Sequence, residues 1–391
     1  MRSWMLWLSW ISPLLAGELQ LSPPYGSHMV LPMDREVPLH GTADPGKPVA
    51  VHFLGREFLA KADANGAWLV VLPATPASTA AAAIEVTSEG KRVICDDLLF
   101  GEVWLCSGQS NMDFPLSRST GGVEEIKSAN VPKLRLLNLT GAPTDARAYN
   151  SATLARLTVK DHFTGSWQPC TPTAVTGFSA VAYHTGKLLQ ASKGVPIGLI
   201  ENAIGGSGTE AWLPMETLQS RPDYRPLLSE TWLDSDRVSP WARGRAKQNL
   251  GRHLDANHPF KPGFLFESGV RPLAGFPLTG VIWYQGETNA EIHDDAWNGQ
   301  LIRDLVTGWR ASLQQRSLPF HLVQLPRIGG SDPLRKFWPE YREVQARAAK
   351  ALPDTHLVVT QDLGWDSPDV HPPDKLPVAK RIAESILKKP D

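Results

Sequence analysis

A serine stands directly after an apolar, strand-like run, in the turn Ser107-Gly108-Gln109-Ser110. A serine hydroxyl is a weak nucleophile until a neighbouring base takes its proton. The setting Gly108-Gln109-Ser110-Asn111 differs from the Gly-x-Ser-x-Gly elbow of α/β-hydrolases. A serine after a strand also suits an ordinary helix cap, so Ser110 by itself leaves both interpretations open.

His371, one of 11 histidines, is the candidate base, and it lies about 260 residues further on. Histidine titrates near neutral pH and can accept the serine proton, and a carboxylate beside it would hold the ring. Asp369 is the nearest carboxylate in sequence and Asp366 is the second choice. The alternative is a solvated loop histidine. A metal site is disfavoured because no second histidine stands at ligand spacing.

Two segments between the serine and the histidine offer donors for a developing oxyanion. Gly205 and Gly206 let backbone N–H groups approach a ligand closely, although an ordinary turn explains them equally well. Gln285 and Asn289 carry amide donors. Glu287 lies between them and is interpreted as a partner of the base, as a group that orders the loop, or as plainly structural. Together the four segments predict a serine esterase.

The elements that must position these residues change in type along the chain. Residues 18–98 contain short β-prone runs separated by turns, which predicts a small β-sandwich. Residues 73–83, rich in Pro, Ala, Ser and Thr, are expected to form a loop. From residue 99 onward, strands alternate with helices, which predicts a mainly parallel sheet covered on both faces. Residues 213–262 carry no clear strand and are interpreted as a helical insertion near the substrate.

The strands predicted for this second region are Val103–Leu105, Ile197–Ile200, Val281–Tyr284, His321–Leu325 and Leu357–Val359, and the predicted helices cover residues 180–189, 302–313 and 376–386. In open α/β sheets, ligands bind beyond the carboxyl ends of the strands. Ser110, the glycine pair, the Gln285–Asn289 segment and His371 each follow a predicted strand. We therefore expect the four segments to meet at one edge of the sheet.

Composition excludes several classes of protein. The chain has 391 residues, 42% hydrophobic and 20% charged, and its net charge of -1 gives no reason to expect a nucleic-acid partner.

Residues 1–17 have a charged start, a short apolar run and small residues at the end, as in a secretory signal peptide, with a buried N-terminal segment as the alternative. Three cysteines allow at most one disulfide.

At this point a family resemblance emerges. Gly101 to Met112 closely resembles the nucleophile block of sialate O-acetylesterases, within the SGNH hydrolase superfamily. Residues 178–183 and 195–200, the block from Trp283 to Ala290, and Asp369-Val370-His371-Pro372 with Lys375 resemble later blocks of that family, so that the resemblance spans about residues 20–385.

The resemblance implies a flavodoxin-like, three-layer α/β/α hydrolase core over residues 99–391 with an accessory β-sandwich over residues 18–98. It implies Ser110 as nucleophile, His371 as base, and Gly205 or Gly206 with the Gln285–Asn289 block at the oxyanion. No metal or organic cofactor is implied. The superfamily's usual acid, three residues before the histidine, is replaced here by Pro368. Asp369, Asp366 or a backbone carbonyl remains as the group that orients the ring.

The expected activity is removal of O-acetyl groups from a sugar by an exported enzyme, secreted or periplasmic, with sialic acid as the family's namesake substrate. Acetylxylan or another acetylated polysaccharide is the alternative substrate. A glycan-binding protein whose hydrolase site has decayed is the alternative from a different class. The expected partner is an acetylated sugar or glycan, with no nucleic acid and no membrane for the mature form. The sequence does not fix the oligomeric state.

Overall fold

The computed structural model describes residues 17–229 and 231–388. The predicted signal peptide therefore lies outside the described residues except for Gly17. Within those two ranges, no helix is both long enough and apolar enough to cross a membrane.

The strands of the described residues are, in chain order, β1 (Gln20–Leu21), β2 (Val30–Pro32), β3 (Val37–Thr42), β4 (Pro48–Phe53), β5 (Arg56–Lys61), β6 (Ala67–Leu72), β7 (Ser78–Ser88), β8 (Lys91–Gly108), β9 (Val131–Asn138), β10 (Trp167–Cys170), β11 (Ile197–Ala203), β12 (Gly280–Tyr284), β13 (Phe320–Val323) and β14 (Thr355–Val358). The α-helices are α1 (Gly122–Ser128), α2 (Ser151–Ala155), α3 (Pro172–Thr176), α4 (Ala180–Lys193), α5 (Met215–Ser220), α6 (Pro240–Leu250), α7 (Asp295–Ser312), α8 (Trp338–Ala351) and α9 (Leu376–Leu387).

The second region forms a mostly parallel sheet, as expected. Its strands lie in the order β10-β9-β11-β8-β12-β13-β14, and every neighbouring pair is parallel except β9 with the edge strand β10. Because the strands are parallel, the carboxyl ends of β8, β11 and β12 share one edge. The predicted α/β class is confirmed.

The side chains of β8 alternate between two apolar layers. Val103 and Leu105 belong to the core on one face of the sheet, whereas Trp104 and Cys106 belong to the core on the other. Helices α4 and α9 contribute buried side chains to the second layer, and α7 and α8 contribute to the first. The result is the expected three-layer arrangement, in which both faces of the sheet are withdrawn from water.

The N-terminal region is also built of strands, as predicted. β1, β3 and β6 form a three-stranded antiparallel sheet, and β4, β5 and β7 join the first half of β8 in a second antiparallel set. The apolar core of this region is continuous with the first layer of the α/β sheet.

One strand belongs to both regions. The first half of β8 pairs with β7 through Phe100, and its second half pairs with β11 from Glu102 to Gly108. The boundary proposed between residues 98 and 99 therefore falls inside a strand. At the crossover a Cβ on Gly101 would lie 1.9 Å from the carbonyl oxygen of Pro196, so only glycine fits there.

Some sequence expectations need correction. Residues 78–83, expected to be part of a loop, belong to β7, whose run of alanines lacks the β-branched residues that signal a strand but pairs with β8. β9, β10 and α8 were not predicted. Each of the two strands contains a proline, and β10 lies at the edge of the sheet, where proline is tolerated.

The segment 213–262 contains α5, α6 and short 3₁₀ turns, and its described residues contain no strand. Its apolar side chains, among them Trp232 and Ala242, pack into the first apolar layer. All three cysteines are free and buried.

We predict that Gly101→Ala destabilises the fold by about 3 kcal/mol, because the added methyl group meets backbone rather than a side chain that can turn away. Gly244→Ala in α6, where a Cβ meets nothing within 4 Å, is the matched control and is expected to stabilise by about 0.5–1 kcal/mol. Urea unfolding of both variants measures the difference. Equal midpoints for the two variants would contradict the crossover argument.

Candidate active site

Gly108 ends β8 with a φ of 141°, in the region of backbone conformation that glycine alone adopts readily. A Cβ at this position would lie 2.1 Å from the carbonyl oxygen of Tyr284 on β12. The chain then turns, with the N–H groups of Met112 and Asp113 both donating to the carbonyl of Gln109. This turn places Ser110 at the carboxyl edge of the sheet, as the sequence predicts.

His371 reaches the serine from the loop before α9. Its Nε2 lies 2.8 Å from Ser110 Oγ, and its Nδ1 lies 2.8 Å from Asp369 Oδ1. The same carboxylate oxygen accepts the backbone N–H of His371 at 3.0 Å. Asp366 makes no hydrogen bond with the ring. Of the two carboxylates considered from sequence, the structure thus brings Asp369 to the histidine.

The protonation of the ring follows from its partners. An ionised carboxylate only accepts hydrogen bonds, so the Nδ1 that faces Asp369 carries the proton. Nε2 is then left as an acceptor for the Ser110 hydroxyl. Trp365 donates its indole N–H to the carbonyl of Asp369 at 2.7 Å and fixes the turn that presents the carboxylate. The arrangement can move a proton from serine to histidine.

The glycine pair lies beside the serine. A Cβ on Gly205 would lie 3.5 Å from Ser110 Cβ, and Gly206 has a φ of 77°. Among the described residues, no acceptor takes the backbone N–H of Ser110 or Gly206. Both donors are therefore available to a ligand.

Gln285 and Asn289 are buried in a hydrogen-bond network beneath the glycine pair. Gln285 Nε2 donates to Asn289 Oδ1 at 2.6 Å and to Gln109 Oε1 at 3.0 Å. Asn289 Nδ2 donates to Glu210 at 3.0 Å. Their amide donors are thus engaged within the protein, contrary to the expectation that one of them faces the oxyanion, and the backbone N–H groups remain as the candidates for that role.

A second buried chain of contacts runs behind the serine and the histidine. Asn111 donates to Glu287 Oε1 at 2.5 Å and to the carbonyl of Val370 at 2.9 Å, and it accepts from Lys375 Nζ at 2.5 Å. Lys375 Nζ also lies 4.5 Å from the centre of the Phe114 ring. Because Asn111 follows Ser110 and Val370 precedes His371, these contacts tie the two loops together. Glu287 contacts Asn111 rather than the base.

Burial shifts the pKa values of the two ionisable side chains in this series of contacts, Lys375 and Glu287. It lowers the pKa of Lys375 to about 7, although nearby Glu287 and Asp369 act in the opposite direction. It raises the pKa of Glu287, and the hydrogen bond from Asn111 partly offsets that rise. Glu287 Oε2 is buried and has no hydrogen-bond partner among the described residues.

Sequence reasoning missed Asp113, which lies one helical turn beyond Ser110. Its carboxylate faces a cleft of about 230 Å³ beside Gly205 and is open to solvent although protein atoms surround it closely. This crowding raises the pKa of Asp113 to about 7, and the N–H of Gly205 acts against the rise. The spacing of three residues from the serine was the available signal, since it puts both side chains on one side of a turn.

The insertion also reaches the site. Trp241 of α6 packs on the glycine pair, since a Cβ on Gly206 would lie 2.5 Å from its ring. Arg245 lies 5.2 Å from the centre of that ring. A larger cleft, of about 1100 Å³, lies elsewhere and is lined by Tyr25, Phe163 and Arg271 among others. No described group of three or more His, Cys, Asp or Glu side chains is placed to hold a metal ion.

Comparison with known proteins shows which family the chain resembles. Residues 267–388 match the family model described as carbohydrate esterase, sialic acid-specific acetylesterase. The chain is 28% identical to the mouse sialate O-acetylesterase over 88% of its own length and 68% of that protein. It is 29% identical to the human sialate O-acetylesterase over 73% of its own length and 53% of that protein.

A solved structure agrees with these matches. The crystal structure of a carbohydrate acetylesterase from Xanthomonas citri superposes with a TM-score of 0.74 at 31% identity, covering 94% of this chain and 74% of that one. Such an overlap in sequence and fold shows a carboxylic ester hydrolase of the carbohydrate esterase class. The chain therefore belongs to the sialate O-acetylesterase family.

Proposed function

We propose that this protein removes O-acetyl groups from sugars through an acetyl-enzyme formed on Ser110. One observation carries the proposal, namely the line of contacts from Ser110 Oγ to His371 Nε2 and from His371 Nδ1 to Asp369, each 2.8 Å long. These are the distances that proton transfer from a serine to a histidine base requires.

The reaction proceeds in two halves. Ser110 Oγ attacks the acetyl carbonyl carbon while His371 Nε2 takes its proton, and the imidazolium is stabilised by Asp369. The backbone N–H groups of Ser110 and Gly206 hold the oxyanion. The C–O bond to the sugar breaks as His371 returns the proton to the leaving oxygen. Water then attacks the acetyl-enzyme by the same route and releases acetate.

Sialic acid is the first substrate to test, because the matching family model and the mammalian relatives carry its name. Acetylated xylo-oligosaccharide is the second, since a fold does not fix its substrate. The non-catalytic alternative, a glycan-binding protein, is disfavoured by the aligned Ser110, His371 and Asp369.

We expect Ser110→Ala to lower kcat for acetate release by several orders of magnitude, because no other hydroxyl in residues 17–229 and 231–388 is bound to His371. The measurement is acetate release from O-acetylated sialic acid and from acetylated xylo-oligosaccharide, with wild type and variant in parallel. A fluorophosphonate probe should label wild type and spare the variant.

Release from only one of the two sugars would identify the substrate class and leave the mechanism intact. Near-normal turnover by Ser110→Ala would disprove the mechanism. Absence of both release and labelling in the wild type would favour the glycan-binding alternative.

The two carboxylates near the histidine offer a matched pair of variants. Asp369→Asn should lower kcat by about 10³–10⁴, since the amide no longer holds the ring with its proton on Nδ1. Asp366→Asn, which removes a carboxylate of the same loop that makes no contact with the ring, should stay within about twofold of wild type. Similar losses in both variants would count against Asp369 as the orienting group.

Asn111, Glu287 and Lys375 support this reaction as positioning residues. They contact neither the hydroxyl nor the ring but fix the residues next to each. A displacement of about 1 Å between reacting groups can cost about 10² in rate.

Lys375→Met should therefore lower kcat by about 10–100-fold with little change in KM, because the Oδ1 of Asn111, the residue that joins the two loops, loses its donor. Lys380→Met, on the exposed side of the same helix, is the control and should leave kcat unchanged. Steady-state kinetics at pH 8 separates the two parameters. A change confined to KM would show that Lys375 acts on substrate binding instead.

We propose in addition that the protein is exported. Residues 1–17 lie outside the described part of the chain apart from Gly17, so the support is their composition alone. Mass spectrometry of the exported protein should find a new N-terminus after Ala16 or Gly17.

A further inference from the structure

Asp113 and the proposed nucleophile both lie next to one small residue, Gly205. From the position that a Cβ of Gly205 would occupy, Ser110 Cβ is 3.5 Å away and Asp113 Oδ2 is 3.8 Å away. Because Gly205 has no side chain, the space between the carboxylate and the serine stays open. A group attached to Ser110 during the reaction would lie within reach of Asp113.

The cleft at this point has the size and polarity of a site for a sugar unit. Its volume is about 230 Å³, and polar side chains from two segments line it, namely Asp113 from one and Asn138, Thr140 and Thr144 from the other. Thr144 donates to the carbonyl of Gly205 at 2.8 Å, which fixes the wall between the cleft and the serine.

The backbone N–H of Gly205 is one donor to the carboxylate of Asp113, and the remaining acceptor positions are open to a ligand. No Lys, Arg or His in residues 17–229 and 231–388 forms an ion pair with it, and no side chain in those ranges donates to it. A carboxylate binds hydroxyl donors with charge-assisted hydrogen bonds, which are roughly twice as strong as neutral ones. A sugar ester differs from a simple acetate ester in the hydroxyl groups next to the ester.

We infer that Asp113 is a specificity-determining residue that accepts a hydrogen bond from a free hydroxyl neighbouring the acetylated carbon of the sugar. The inference rests on the proposed function and adds the substrate feature that this site recognises. It predicts a preference for partially acetylated sugars over acetate esters that lack an adjacent hydroxyl, because only the former supply a donor for a charge-assisted hydrogen bond to this carboxylate.

The test uses a sugar monoacetate with a free hydroxyl beside the ester, the same ester with that hydroxyl O-methylated, and p-nitrophenyl acetate. All are measured at pH 8, above the pKa of about 7 to which burial raises Asp113, so that the carboxylate is ionised. Wild type, Asp113→Asn and Asp113→Ala are compared, with Glu124→Gln on the exposed face of α1 as the control for loss of one surface charge.

We expect Asp113→Ala to lower kcat/KM for the free-hydroxyl sugar by about 10–100-fold, to leave p-nitrophenyl acetate within about twofold, and to abolish the preference over the O-methylated ester. Asp113→Asn, which keeps an acceptor oxygen, should lie between the two. Glu124→Gln should match wild type on all three esters.

Equal losses on all three esters would overturn the inference, because they would show general damage to the site. An unchanged ratio between the two sugar esters would overturn it as well, while activity lost in Ser110→Ala would still uphold the proposed function. A wild type that cleaves p-nitrophenyl acetate but no sugar ester would overturn both proposals.

Discussion

The position of the candidate nucleophile depends on one backbone ladder. β8 is hydrogen-bonded to β11 on one side and to β12 on the other, and all three strands end at the same edge. Gly108 ends the ladder where its backbone contacts that of Tyr284, and this close contact fixes the direction of the turn that follows. Ser110, the glycine pair after β11 and the Gln285–Asn289 segment after β12 meet because their strands are neighbours. Three of the four segments of the site are thus positioned by neighbouring strands of one sheet.

Much of this arrangement follows from the sequence. The runs at residues 197–200 and 281–284 are apolar throughout, as central parallel strands must be, and both prove to be buried strands. Once strands and helices alternate, the placement of Ser110 and His371 at a common edge follows from the rule for parallel sheets. Helix α4 was also foreseeable, because Ser179 caps its first turn and Gly194 ends it.

Other features depend on contacts that no local pattern records. β9 and β10 each contain a proline, which disfavours a strand prediction. They are recognised as strands only from the pairing of β9 with β11 and of β10 with β9. The amides of Gln285 and Asn289 looked free in sequence, yet Thr209 and Glu210, some 80 residues earlier, lie against them. Lys375 stands four residues after His371, but its partner Asn111 is 264 residues away. Polar partners that are far apart in sequence are therefore the part of a site that is hardest to predict from sequence.

The passage of β8 through both regions has a consequence for how this architecture can vary. The pairing of β8 with β11 is regular from Glu102 to Gly108, so a single residue inserted or deleted there would exchange the two faces of the strand beyond that point. In this chain the two regions share one continuous strand, β8, so the register of the strand in one region fixes its register in the other.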